Sequence, residues 1–193
     1  MNATDGRSPA VLVARSKLLS SIGSPAEALE AAHDAVALDP ASPRALEQLA
    51  SLHADAGDAA GLDAVVARLR TIAPDAAATH YFAAVSAFLR GRAEETLRLG
   101  EQAVAADRAF APVHDLLGAA HTKLGQPAKA REAFSKSLAL DARDSTAYTN
   151  LGLLELAAGN HREAARYFAE ALWLVPESST AREGLARAQG TKN

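Results

Sequence analysis

The sequence predicts an all-α protein: a solenoid of five helical hairpins closed by a C-terminal capping helix. Three observations predict it. Gly23, Gly57, Gly91, Gly125 and Gly159 recur every 34 residues. Pro40, Pro74 and Pro176 keep the same register. The apolar fraction, 49% of the chain, is carried mainly by Ala, Leu and Val, with only 5% aromatics. A fixed period of this length marks a stack of small units, none of which buries its apolar face alone. Alanine at this density favours helix, because it loses no side-chain entropy there.

These marks frame units at 9–42, 43–76, 77–110, 111–144 and 145–178, with 1–8 as a flexible N-terminal tail and 179–193 as a capping helix and C-terminal tail. In each unit the glycine ends one amphipathic run and precedes another, as a left-handed residue closing a helix does. The residue after it is often a capping type, as at Ser24, Asp58 and Asn160. Ser24, Pro25 and Glu27 make a start signal of cap, first-turn proline and acid three positions on. Asn160 and Glu163 repeat that logic. Ser42-Pro43 and Asp144-Ser145 open the first helices of the units that follow. After 178 the pattern restarts at Thr180 and stops after one helix, which covers the apolar face the last hairpin would otherwise expose.

The formal charge is -3, with both signs interspersed along the chain. No basic block is present to neutralise phosphates, which argues against nucleic acid as a partner. The absence of cysteine excludes disulfides, thiolate zinc sites and cysteine nucleophiles. No run of ~18 apolar residues exists to enter a bilayer, and the first residues lack the apolar stretch of a signal peptide. The expected location is the cytoplasm, or the periplasm if a leader has been removed. The preference for Arg and Ala fits a bacterial source.

No HExxH, Gly-rich phosphate loop or GxSxG occurs. No catalytic residue, cofactor or metal is therefore assigned, and the chain reads as a non-enzyme. His114 and His121 lie seven apart on one helix face, but no carboxylate joins them at matching spacing. His53, His80, His114 and His121 read as packing residues between the helices of a hairpin, and His33 and His161 as exposed. Glu94 with Glu95, and Asp34 with Asp39, read as solvated surface among Lys and Arg.

The best-formed unit runs Ala147, Tyr148, Thr149, Asn150, Leu151, Gly152, then Gly159, Ala164, Phe168, Ala171 and Pro176. It resembles a tetratricopeptide repeat (TPR). The unit before it keeps Leu117, Gly118, Gly125, Ala130 and Phe134. The first keeps Leu12, Gly23, Ala28, Ala35 and Pro40, and the second Leu49, Ala50, Gly57 and Pro74. The third departs most, with Ala83-Ala84 for Leu-Gly, Thr96 for the alanine and Gly100 for the phenylalanine. The resemblance covers nearly the whole chain. It implies a right-handed superhelix whose first helices line a concave groove. It also implies a non-enzymatic scaffold for protein–protein interaction, binding a partner peptide or helix there. The alternative is an accessory TPR segment of a larger enzyme, such as a transferase or hydroxylase, with its catalytic domain outside this chain. Self-association into a homo-oligomer through the groove is a third reading.

At ~100° per residue, the second, fifth, ninth, twelfth and thirteenth slots of a first helix point away from the hairpin's core. Those slots hold Asp55 in the second unit and Tyr81, Val85, Phe88 and Leu89 in the third. They hold Asp115, Ala119, Thr122 and Lys123 in the fourth, and Leu153 in the fifth. Two readings of the apolar third unit stay open. Its large residues either form a hot spot rimmed by Asp55, Asp115 and Lys123, or fill space left by Ala83, Ala87 and Gly100. A carboxylate clamp, as in TPR proteins that hold chaperone tails, is not matched. Lys17 fits one position, but Gln48, Ala78 and Phe82 occupy the others.

Overall fold

The structure, a computed structural model, describes residues 8–190; the tail expected before Ser8 and residues 191–193 lie outside the described residues. Among the described residues there are eleven α-helices and no strand. First helices of the hairpins are α1 (Pro9–Ser21), α3 (Pro43–Asp55), α5 (Ala77–Leu89), α7 (Pro112–Lys123) and α9 (Ser145–Ala157). They alternate with second helices α2 (Pro25–Leu38), α4 (Ala59–Ile72), α6 (Ala93–Ala106), α8 (Pro127–Leu140) and α10 (His161–Leu174). The closing helix is α11 (Ser179–Ala188).

Proline, already at helical φ and lacking an N–H to leave unpaired, occupies the first turn of α1, α2, α3, α7 and α8. Side-chain oxygens of Ser8, Ser42, Asp144 and Ser178 accept first-turn N–H groups of α1, α3, α9 and α11. Asp58 caps α4 by accepting from Gly61 N at 2.9 Å. Ser24 and Asn160 do not cap as the sequence pattern predicts. The Asn160 carboxamide is held instead by Glu155, its Nδ2 donating to Oε2 at 2.7 Å.

The five periodic glycines have φ between +67° and +80°. At each turn the next N–H reaches the carbonyl five residues back; Asn160 N donates to Glu155 O at 2.8 Å, the wide bond of a Schellman turn. A Cβ at Gly159 would meet nothing within 4 Å, so the strain of Gly159→Ala is purely conformational. We expect that change to cost about 1 kcal/mol in urea unfolding; an unchanged midpoint would show that the left-handed turn is dispensable.

Side chains flank the same turn at fixed positions. His53 Nδ1 meets Asp58 Oδ2 at 2.9 Å, His121 Nδ1 meets Gln126 Oε1 at 2.9 Å, and Glu155 takes the Asn160 amide. Three different pairs thus close equivalent turns at one register.

The described residues divide into two compact units, one up to Glu95 and one from Thr96 onward, with the boundary inside α6. In the first, α1 through α5 pack each on the next, and α3 also touches α1 and α5. Ser16 Oγ donates to Ala28 O at 2.8 Å and accepts from Gln48 Nε2 at 3.1 Å, so both buried polar side chains are hydrogen-bonded. In the second unit α7 through α11 pack in succession, and α9 also touches α7 and α11. Its centres are two fully buried rings: Phe134 with Ala130 and Leu151, and Phe168 with Ala164, Ala171 and Ala181. The Leu-Gly pair of each motif is explained here. A Cβ on Gly118 would run into the Phe134 ring, and one on Gly152 would lie 2.8 Å from Phe168. Where the third unit puts Gly100 in the ring's slot, Leu117 stands 2.7 Å from the position of the missing Cβ.

No described helix is long and apolar enough to cross a membrane.

Candidate partner-binding groove

Helices α7 and α9 carry a shared apolar stripe. Ala119 on α7 faces Leu153, Leu154 and Ala157 on α9, with Phe134 of α8 behind them, around a cavity of about 290 Å³. Its polar lining is Thr122, Lys123 and Asn150. Leu153 keeps 37% of its surface exposed. Thr122 Oγ1 is turned back to Gly118 O at 2.9 Å. The half-buried Asn150 carboxamide makes no hydrogen bond among the described residues. It offers a donor and an acceptor side by side, the complement of a peptide group.

Four predicted groove residues, Ala119, Thr122, Lys123 and Leu153, are brought together in this lining. Asp115 is not on its rim. One turn before Ala119, it is turned into the junction where the α8–α9 connection folds over α7. There burial, reinforced by the neighbouring Asp144 carboxylate, pushes its carboxyl up to about 8. Asp144 goes the opposite way. Burial works against its charge, yet the Asp115 hydrogen bond, the Ala147 and Thr146 N–H groups and Ser137 hold it below the usual range.

The remaining predicted residues belong to the first unit. Val85, 9% exposed, is part of the core rather than a contact surface. Phe82 through Ala87 are six consecutive buried positions, which at ~100° per residue encircle the helix. The small residues Ala83, Ala84 and Ala87 belong to this run, on a helix that packs on α3 and α4. Tyr81 is half-buried with its ring edge-on to Phe82, centroids 5.2 Å apart. Phe88 is half-buried too, and Leu89 is exposed at the end of α5. Asp55 lies on the last turn of α3, where partial desolvation raises its carboxyl.

Residues 13–61 and 110–175 each match a family model described as tetratricopeptide repeat. The chain belongs to the tetratricopeptide-repeat family. The fold is similar to TTC0263, a thermophilic TPR protein of Thermus thermophilus, with a TM-score of 0.83 and 22% identity over 94% of this chain and 99% of that one. A TPR protein from Parabacteroides merdae also gives 0.83, at 16% identity over 95% of this chain and 72% of that one. YrrB, described as a TPR protein with an unusual peptide-binding site, gives 0.57 at 15% identity over 93% and 92%. No curated protein matches the sequence.

Within the TPR frame, Asn150, Leu154 and Phe134 are lining residues that the outward slots do not include, while Ala157 holds the thirteenth slot of the fifth unit. Asn150 occupies the sixth slot, beside the predicted set. Its signal is a lone carboxamide in a helix otherwise rich in leucine. A second cleft of the same unit, about 310 Å³, opens on the other side of α7, between α6 and α8. His114 and His121 line it together with Lys129, Lys136, Glu101 and Glu132. Burial, aided by Lys136, pushes the His114 imidazole down, favouring its neutral form. Lys136 Nζ pairs with Glu132 Oε1 at 2.8 Å. No cluster of three His, Asp or Glu side chains among the described residues is placed to hold a metal ion.

Proposed function

We propose that this TPR protein is a non-enzymatic scaffold that binds a segment of a partner protein between α7 and α9, seating one apolar side chain of that segment against Leu153 and Phe134. The observation that carries the reading is the Asn150 carboxamide, unpartnered at the mouth of an apolar cavity. Burying it without a partner would cost free energy, whereas a bound backbone supplies both hydrogen bonds. The cavity accommodates one large side chain, the usual anchor of a helix or strand laid in a groove. A peptide-binding site on YrrB is in keeping with this use of the fold. Ala119, Thr122 and Lys123 complete the contact on α7, and Tyr81, Phe88, Leu89 and Asp55 offer a separate contact on the first unit. A cytoplasmic location in a bacterium, with no membrane insertion and no nucleic acid, belongs to the same reading.

The test is selection of peptides from a random displayed library on the full chain. Selected peptides should carry a large apolar residue and bind Leu153→Asp and Asn150→Ala at least about tenfold more weakly, the equivalent of about 1.4 kcal/mol. Thermal unfolding of both variants should stay near that of the wild type, since Leu153 is partly exposed and Asn150 supports nothing. Peptides that bind the variants as tightly as the wild type would remove the groove from consideration.

A further inference from the structure

The junction beside this cavity contains two carboxyl groups that cannot both be charged without cost, and their hydrogen bonds decide which one keeps a proton. Asp144 is the cap of α9: its Oδ1 accepts the N–H groups of Thr146 and Ala147, each at 3.0 Å. Its Oδ2 accepts the Ser137 hydroxyl at 2.8 Å. Three donors and a helix N-terminus make Asp144 the ionised partner. Asp115 stands against it from α7, and its Oδ1 is a buried polar atom that no donor reaches. An ionised Asp115 would leave that oxygen without water or a hydrogen bond beside a second negative charge. A protonated Asp115 donates its O–H to Asp144, removes the repulsion between the two charges and leaves Oδ1 a neutral carbonyl oxygen, far cheaper to bury than a charged one.

We propose that Asp115 and Asp144 form a proton-held latch between α7 and α9, closed while the pair shares one proton and loosened when that proton leaves. The groups facing Asp115 fit this role. From the α8–α9 connection come Asp141 and Asp144, both acidic. From α8 comes the neutral Ser137. The charged side chains Lys129, Glu132 and Lys136 of α8 and Glu101 of α6 gather instead around His114 and His121, in the cleft on the other side of α7. Burial disfavours the charged form of the neighbouring His114, which lines that other cleft.

The direction of the effect follows from the proton count. Asp115 titrates at about 8 in the folded chain, far above the 3.8 of a free aspartate. Between those values the folded chain holds a proton that the unfolded chain has released. Stability from Asp115 is therefore complete below about pH 4, falls as pH rises, and levels off beyond about pH 8. Asp144, held low, acts oppositely: its contribution is present above about pH 4 and is lost in stronger acid. The latch is tightest in mild acid and opens in mild alkali. Its consequence for binding rests on the groove reading above, because α7 and α9 carry the cavity's two walls.

Hydrogen exchange of the full chain, corrected for the intrinsic pH dependence of exchange, tests the latch directly. In the wild type the opening constant of amides in the first turns of α9 should rise by up to about tenfold per pH unit between about pH 6 and 8, then flatten. In Asp115→Asn, whose carboxamide donates to Asp144 at every pH, that rise should vanish. The same rise in Asp115→Asn, or no rise in the wild type, overturns the proposal. Should that variant not fold, carboxyl-carbon NMR of the wild type decides: one aspartate must titrate near pH 8, and its absence overturns the latch. Affinity for a selected peptide that stays flat while the latch opens would support the latch and overturn the groove reading alone.

Discussion

Truncating Phe168 to alanine should lower stability by about 3–5 kcal/mol, at the upper end for a buried aromatic. The size of such a loss depends on how far the surroundings can collapse into the void. Around Phe168 the fully buried neighbours cannot, and only the partly buried Tyr148, Leu156, Leu172 and Leu185 have side chains able to shift inward. Gly152 and Gly184 approach the ring from two sides, close enough that a Cβ on either would stand within 2.8 Å of it. Neither has a side chain that can swing inward. The other buried neighbours are alanines, Ala164, Ala171 and Ala181, which have no rotamers to change. The ring also holds α11 onto α10, because Ala181 and Gly184 both belong to α11. Amides of 179–188 should therefore lose exchange protection before the rest of the unit does. Phe168→Leu retains much of the volume and should cost roughly 1 kcal/mol. Calorimetry and denaturant unfolding measure both. A loss below about 1 kcal/mol for the alanine variant would mean that the ring does not organise the last hairpin.

The same ring shows why the fold is legible in the sequence. The glycine period, the Leu-Gly pair and the phenylalanine sixteen positions later each answer a local steric need, and local needs leave local marks. The candidate groove is legible only in part. Helical angle alone places Ala119, Thr122, Lys123 and Leu153 on one surface, and they meet there. Asp115 shares that angle, but the α8–α9 connection folds over its end of α7, and no periodicity reports the path of a connection. Val85 shares it too, but it sits among Ala83, Ala84 and Ala87 on α5 and is buried with them. Asn150 escapes the angular criterion because its slot lies beside the outward set. Ser24 and Asn160 have the composition of caps, but neither makes the cap bond, and the Asn160 amide donates to Glu155. In each case the missing information is which of two nearby partners a group meets, and that depends on residues distant in the chain.

Glu155 carries the last prediction, because it is a carboxylate buried within α9. Its side chain is 7% exposed, and it is ionised for identifiable reasons. Asn160 Nδ2 donates to Oε2, and Arg131 donates to Oε1 from Nε at 2.9 Å and Nη2 at 2.5 Å. Asn160, then Arg131, hold the carboxyl below its ordinary range against burial, which pushes the other way. A depressed value means that this stability is present above about pH 4.5, the value of a free glutamate, and is lost as pH falls through the folded value. Arg131→Met retains the aliphatic stem but leaves the carboxylate with Asn160 alone, so desolvation should dominate and the group should move up. A fully buried pair broken in this way costs about 3–5 kcal/mol. Here the guanidinium is 45% exposed and the site is close to the surface, so screening should reduce the loss to about 2 kcal/mol at pH 7. Two further results separate charge from packing. The gap between wild type and Arg131→Met should narrow towards about pH 4, as Glu155 takes up a proton in the variant. Adding Glu155→Gln to Arg131→Met should recover most of the loss at pH 7, since a carboxamide still pairs with Asn160 without a charge to bury. A gap that is constant with pH and not rescued by glutamine would mean that Arg131 acts through its stem alone. In that case Glu155 would tolerate its slot without help from the cation beside it.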